Sequence, residues 1–412
     1  MLRRFALLIT ALALMVGLVP ALPAAAQDTV TIKYWHTLSD SETEKLDELI
    51  AMFEEANPGI EIEASRYAQN ANEFRQVIMT ALASGDPPDV IRMDIAWVSE
   101  FADLGALVAV DEIIPDFETY QEQFFSAPLQ TNYFSGHYYG LPISTNTQVL
   151  LYNRAQFEEA GLEVPTTIGE FVDAACALSN GEERYGFAMG GTYFWAPAPL
   201  FFAQGGSITD PEVTTAEGYL NSEASVAAFE TLVNLYNDGC MSPNLLGGGI
   251  ATDAGHATGL YSMIIDGPWM VSIYEANYPD FEVNFALVPA GETGTSSVVG
   301  GEDAVLMDGS KHQEEALKWM QFLASEEAQI VMADAGVIPT LSGLTGNEAL
   351  PAYFQIFMEQ LETANLRTPS PHWNEMDNAI NNAYQYMLRG EKTPQEALDD
   401  AAAEIDALLS EG

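Results

Sequence analysis

Short apolar runs of strand type alternate along this chain with capped, amphipathic helical runs, and that alternation leaves few folds open to it. Val30, Ile32 and Tyr34 alternate as a strand, and Trp35-His36-Thr37-Leu38-Ser39-Asp40 reads as the loop after it. Ser41-x-x-Glu44 reads as a capping box, with the stripe Leu46, Leu49, Ile50 and Phe53 behind it and Asn57-Pro58-Gly59 as the stop. Ile60-Glu61-Ile62 begins a second strand, and a helix over 73–83 stops at Ser84-Gly85-Asp86-Pro87-Pro88. Asp89–Met93 reads as a third strand, followed by Asp94 and a helix carrying Trp97. A second set follows: a strand at Val149–Tyr152, a helix capped by Thr167-x-x-Glu170, a helix over 223–238, a strand near Val283–Leu287 and another at Ala304–Met307. Helical runs over 314–324 and after the Thr393-x-x-Glu396 box complete the chain. Strands separated by helices pair in parallel, so the pattern predicts an α/β protein with mostly parallel sheets. No repeat of fixed period interrupts it, which argues against solenoids and propellers.

In open α/β sheets, ligands collect at the carboxyl ends of strands, where the next helix begins. The segment Ser262-Met263-Ile264-Ile265-Asp266-Gly267-Pro268-Trp269 has that form: an apolar strand ending on an acid, a Gly-Pro turn and an indole. A carboxylate accepts from two hydroxyls while an aromatic face covers a ring's C–H surface, which suits a polyhydroxylated ligand. Taken alone, the segment reads as well as a strand, a turn and a core Trp, with Asp266 capping the helix that Pro268 starts. Similar turns recur at Trp35-His36, Asp94 with Trp97, Asn146, Tyr193-Phe194-Trp195 and Trp373. Together they fit polar groups and stacking faces converging on one cleft.

Met1-Leu2-Arg3-Arg4, an uncharged apolar run from Phe5 to Val19, and Ala24-Ala25-Ala26 form the three parts of a secretory leader, with cleavage expected before Gln27. About 385 residues then remain, room for two domains. Losing Arg3 and Arg4 leaves 12 Lys and Arg against 60 Asp and Glu, a net charge of −48. Such a field repels nucleic acid and anionic membranes. Hydrophobic residues at 48% still supply a core. The two cysteines, Cys176 and Cys240, are expected to form a disulfide in an exported protein, and two thiols without nearby His make a poor zinc site. No Gly-x-Ser-x-Gly, His-Glu-x-x-His or Gly-x-x-x-x-Gly-Lys motif occurs, and the five histidines lack metal-ligand spacing. Neither a cofactor, a metal nor a catalytic residue is expected, although a pair of glycosidase carboxylates would leave no linear signature.

An ordered set of segments makes the picture specific. These are Thr31–His36, Phe53–Ile60, Ser84–Val90, Tyr139–Pro142, Leu151-Tyr152-Asn153-Arg154, Asp266–Trp269 and Gly300-Gly301. With this set the chain resembles family 1 of the extracellular solute-binding proteins, the maltose-binding-protein-like sugar receptors of ABC importers, over residues 28–412. The resemblance implies the two-lobed type II periplasmic binding protein fold, each lobe a mostly parallel sheet flanked by helices, with the ligand cleft at the hinge. It implies an N-terminal lobe of 27–144 and 298–339 and a C-terminal lobe of 145–297 and 340–412. Crossings fall near Ser144–Asn146, Gly294–Ser297 and Pro339–Leu341. Ligand would close the lobes, and the closed form would dock on a membrane permease. The implied protein is a monomer in the periplasm or outside the cell, taking a mono- or oligosaccharide. Stacking falls to Trp35, Trp195, Trp269 and Trp373, with Trp97 and Tyr193 nearby. Hydroxyl recognition falls to His36, Asp94 and Asn146, with Asp266 and Glu302 added on chemical grounds. A glycerol 3-phosphate receptor shares the Trp-His of the first loop, but a phosphate needs Arg or backbone amides, and only Arg66 and Arg92 lie near suitable turns. The rival of another class is a secreted carbohydrate-active enzyme.

Overall fold

The computed structural model describes residues 29–67, 71–181 and 183–410. The leader expected at 1–26 lies outside the described residues. Two main sheets are built from β1 (Val30–His36), β2 (Ile60–Arg66), β3 (Val90–Asp94), β4 (Gly140–Asn146), β5 (Val149–Tyr152), β6 (Tyr185–Ala188), β7 (Tyr261–Asp266), β8 (Asn284–Ala286) and β9 (Gly300–Leu306). The first is five-stranded in the order β2-β1-β3-β9-β4, and the second four-stranded in the order β8-β5-β7-β6.

In each sheet one strand runs against the rest: β9 in the first and β5 in the second. Both are the strands that the chain reaches directly from the other sheet. A parallel neighbour needs a crossover helix to carry the chain back to its start. A strand entered from the opposite sheet begins at the ends where its neighbours stop, so it runs outward.

Apolar alternation fixes which face each residue takes. Ile32 and Tyr34 face helices Asp40–Ala56 and Gln313–Leu323, in one core with Leu46, Phe53 and Trp319. Ile91 and Met93 face the other way, onto Phe74, Ile78 and Phe101. In the second sheet Leu150, Phe187 and Met263 pack under Phe171, Phe229, Ile380 and Leu398 of the surrounding helices. The capping boxes at Thr167/Glu170 and Thr393/Glu396 form as read from sequence. The first lies two residues earlier than expected, at Ser39/Glu42. Strand β1 runs through to His36, and the buried Leu38 ties the short link, so the helix starts sooner.

The passages between sheets lie side by side. Thr147 Oγ1 donates to Val298 O at 2.8 Å, and Ser297 Oγ donates to Gln148 O at 2.8 Å. Thr145 N donates to Ile338 O at 3.1 Å, and Thr340 Oγ1 donates to Pro142 O at 2.7 Å. Cys176 and Cys240 are joined in a disulfide, which links the end of helix Ile168–Leu178 to the segment after helix Glu223–Asn237. Among the described residues, no helix is long and apolar enough to cross a membrane.

Candidate ligand-binding site

Strand β7 delivers Asp266 to its carboxyl end, and the Gly-Pro turn starts helix Trp269–Asn277 with Pro268 at the N-cap, where a missing N–H costs nothing. Asp266 does not cap that helix. Its Oδ1 accepts the Gly267 N–H at 2.8 Å, and the Trp269 side chain lies beside its carboxylate. The Trp269 ring is 39% exposed, with the Trp195 ring 6.2 Å away at an interplanar angle of 35°. Trp195 belongs to a loop held from below by helix Trp373–Leu388. Thr192 Oγ1 lies 2.6 Å from Asn381 Oδ1, and the Phe194 N–H donates to Asp377 Oδ1 at 2.8 Å. Gln148 Nε2 donates to Trp195 O at 2.6 Å from the first passage between sheets. Tyr193 is exposed, and burial of its hydroxyl together with Asp266 and Asp377 raises its pKa.

From the first sheet, Asp94 and Glu302 arrive opposite one another at the ends of β3 and β9. Arg92 reaches Glu302 at 2.7 Å, and Ser144 Oγ donates to the same carboxylate at 2.6 Å. Burial pushes the Glu302 carboxyl up, opposed by Arg92 and the Ser144 hydroxyl. Asp94 accepts the Ala96 N–H at 2.8 Å and faces Arg367 Nη2 at 3.4 Å. The Arg367 guanidinium also lies over the Trp195 ring, 5.7 Å from its centroid. Arg367 thus touches an acid of the first sheet and an aromatic of the second. Asn146, at the end of β4, pairs with Gly300 beside Trp195.

The structure therefore gathers Asp94, Asn146, Tyr193, Trp195, Asp266, Trp269 and Glu302. Four other candidates point elsewhere. Trp35 is the next-to-last residue of β1 rather than a loop residue, and its ring lies 4.8 Å from Tyr67. His36 is 2% exposed, stacked on Tyr34, and burial lowers its pKa to about 4, so it is a neutral core imidazole accepting the Leu38 N–H. Trp97 packs in the core near Phe74, and Trp373 near Phe194, where it supports the aromatic loop from beneath. Sequence reasoning missed Arg367, Asp377 and Gln148. Only Arg367 carried a signal, as one of 14 basic residues in 412.

Burial pushes the Asp266 carboxyl up to about 6, against the opposing Gly267 N–H and the neighbouring Trp269 side chain. An unfolded Asp titrates near about 4, so the folded state holds this proton longer and loses stability as pH rises through 4 to 6. Asp266→Asn removes that cost while keeping an acceptor. Its melting temperature is expected to gain on wild type across that window and hold the lead above it. Parallel melting curves from pH 4 to 7.5 would contradict the assignment.

A family model described as bacterial extracellular solute-binding protein matches residues 39–330. The chain is a bacterial extracellular solute-binding protein. Among relatives of this solute-binding protein, the multiple sugar-binding protein of Streptococcus mutans is 25% identical over 333 residues, 73% of each chain. The sn-glycerol-3-phosphate-binding periplasmic protein UgpB of Escherichia coli is 27% identical over a shorter stretch of 188 residues, 44% of this chain and 42% of that one. Among solved structures, an ABC transporter solute-binding protein of Thermotoga lettingae bound with alpha-D-tagatose superposes with a TM-score of 0.78 at 27% identity, covering 92% of this chain and 100% of that one.

Proposed function

We propose that this solute-binding protein captures an uncharged carbohydrate outside the membrane and delivers it to the permease subunits of an ABC importer, binding its ligand without chemical change. The observation that carries the reading is the Trp195–Trp269 pair, set at strand ends among carboxylates. Sugar C–H faces stack on indoles, and hydroxyls donate to carboxylates. The charge balance favours a neutral ligand over glycerol 3-phosphate. Asp94, Asp266, Glu302 and Asp377 surround the site, and its guanidiniums already face acids: Arg92 on Glu302, and Arg367 on Asp94. Arg66 is paired with Asp40. A phosphate would have to break such a pair and enter a field of like charge.

The same reading divides the chain into lobes of 27–144 with 298–339 and 145–297 with 340–412, hinged where the side-by-side passages run. The protein works as an exported monomer, released by cleavage before Gln27. A thermal-shift panel of mono- and oligosaccharides beside glycerol 3-phosphate tests the proposal. At least one sugar is expected to raise the melting temperature, since a ligand that binds only the folded state stabilises it by mass action. A shift with glycerol 3-phosphate and with no sugar would overturn it.

A further inference from the structure

Trp269, Trp195 and Tyr193 each lie against a glycine. A Cβ built on Gly267 would stand 2.2 Å from both Cη2 and Cζ3 of Trp269. One on Gly300 would stand 2.8 Å from Cη2 of Trp195 and 2.2 Å from Oδ1 of Asn146, and one on Gly191 would stand 2.8 Å from Cε1 of Tyr193. None of these glycines has the left-handed φ that many others here adopt, so backbone conformation does not call for glycine at these positions. The rings do.

We propose that Gly267 is a positioning residue for ligand recognition: its bare backbone is the seat that holds the Trp269 ring in stacking pose. A partly exposed indole on a surface turn ordinarily exchanges rotamers on the ps–ns scale. Here the Trp195 ring and the peptide surface at Gly267 both lie against it and restrain it. A ring already held in place loses little freedom when a ligand settles on it, so more of the contact energy appears as affinity. A methyl group at 267 would occupy the ring's own position, and the ring would swing outward. Gly300 and Gly191 seat Trp195 and Tyr193 in the same way. The affinity half of this inference rests on the carbohydrate reading; the geometric half does not.

The test compares wild type, Gly267→Ala, Trp269→Ala and the double variant, with Gly190→Ala as control because a Cβ there meets open space. Two indoles this close couple their transitions, so wild type and Gly190→Ala should show an exciton couplet in circular dichroism. Gly267→Ala should lose it as completely as Trp269→Ala does. For whichever of D-tagatose, maltose or maltotriose binds wild type, Kd in Gly267→Ala should rise about tenfold or more. In the Trp269→Ala background the added alanine has no ring to displace and should change neither Kd nor melting temperature. An unchanged couplet in Gly267→Ala would overturn the proposal. So would an equal loss of stability from the alanine with and without the ring, which would mark a backbone effect. If none of these sugars binds wild type, the carbohydrate reading fails for them, while the couplet and the melting cycle still decide the seat.

Discussion

Trp269→Ala is expected to weaken sugar binding by about thirtyfold or more, roughly 2 kcal/mol, as for a central aromatic anchor removed from an interface. The melting temperature of the unliganded protein should barely move, because the ring is 39% exposed and contributes little to either core. Trp97→Ala and Trp373→Ala should behave oppositely. With 5% and 4% exposure, each leaves a cavity costing about 3–5 kcal/mol of stability. Calorimetric titration and thermal melts of the three variants separate the cases. A collapse of stability in Trp269→Ala with affinity retained would return that residue to a structural role. Trp195→Ala should resemble Trp269→Ala in affinity, and the double variant should fall short of the sum, since the two rings form one platform.

These tryptophans also mark where the chain was legible and where it was not. Strand and helix positions follow from local periodicity, so β1, β3, β7 and the capped helices could be read from the residues that form them. All of the candidate tryptophans sit at or beside strand-to-helix turns, and that is as far as local order reaches. Whether an indole turns toward the cleft or the core depends on a distant partner: Phe74 for Trp97, Phe194 for Trp373. Arg367 was hidden for the same reason. It lies in an irregular stretch, and its ion pair with Asp94 spans 273 residues. The reversed strands β5 and β9 were unreadable too, because their direction is set by which sheet the chain has just left. Asp266 was legible as the acid that ends its strand, but its bond from the Gly267 N–H depends on how the turn closes.

Replacing both Cys176 and Cys240 by Ser should lower the free energy of unfolding by about 4 kcal/mol. The bridge closes a loop over a sequence separation of 64, and cross-linking a loop of that length removes about that much freedom from the unfolded chain. Denaturant titrations with and without reductant measure the loss. Thiol titration of denatured protein should find no free thiol before reduction and two after; two free thiols before reduction would remove the bridge from the account. The consequence extends to the ligand. Cys240 is only 4% exposed, and its backbone carbonyl accepts the Phe187 N–H of β6 at 3.1 Å. The chain runs from β6 directly into the loop carrying Tyr193 and Trp195. That loop keeps its separate ties to Asp377, Asn381 and Gln148. Sugar affinity at room temperature should therefore survive loss of the bridge while the melting temperature falls. An affinity loss as large as that of Trp195→Ala in a protein still folded would show instead that the bridge, and not the helix beneath, holds the aromatic loop in place.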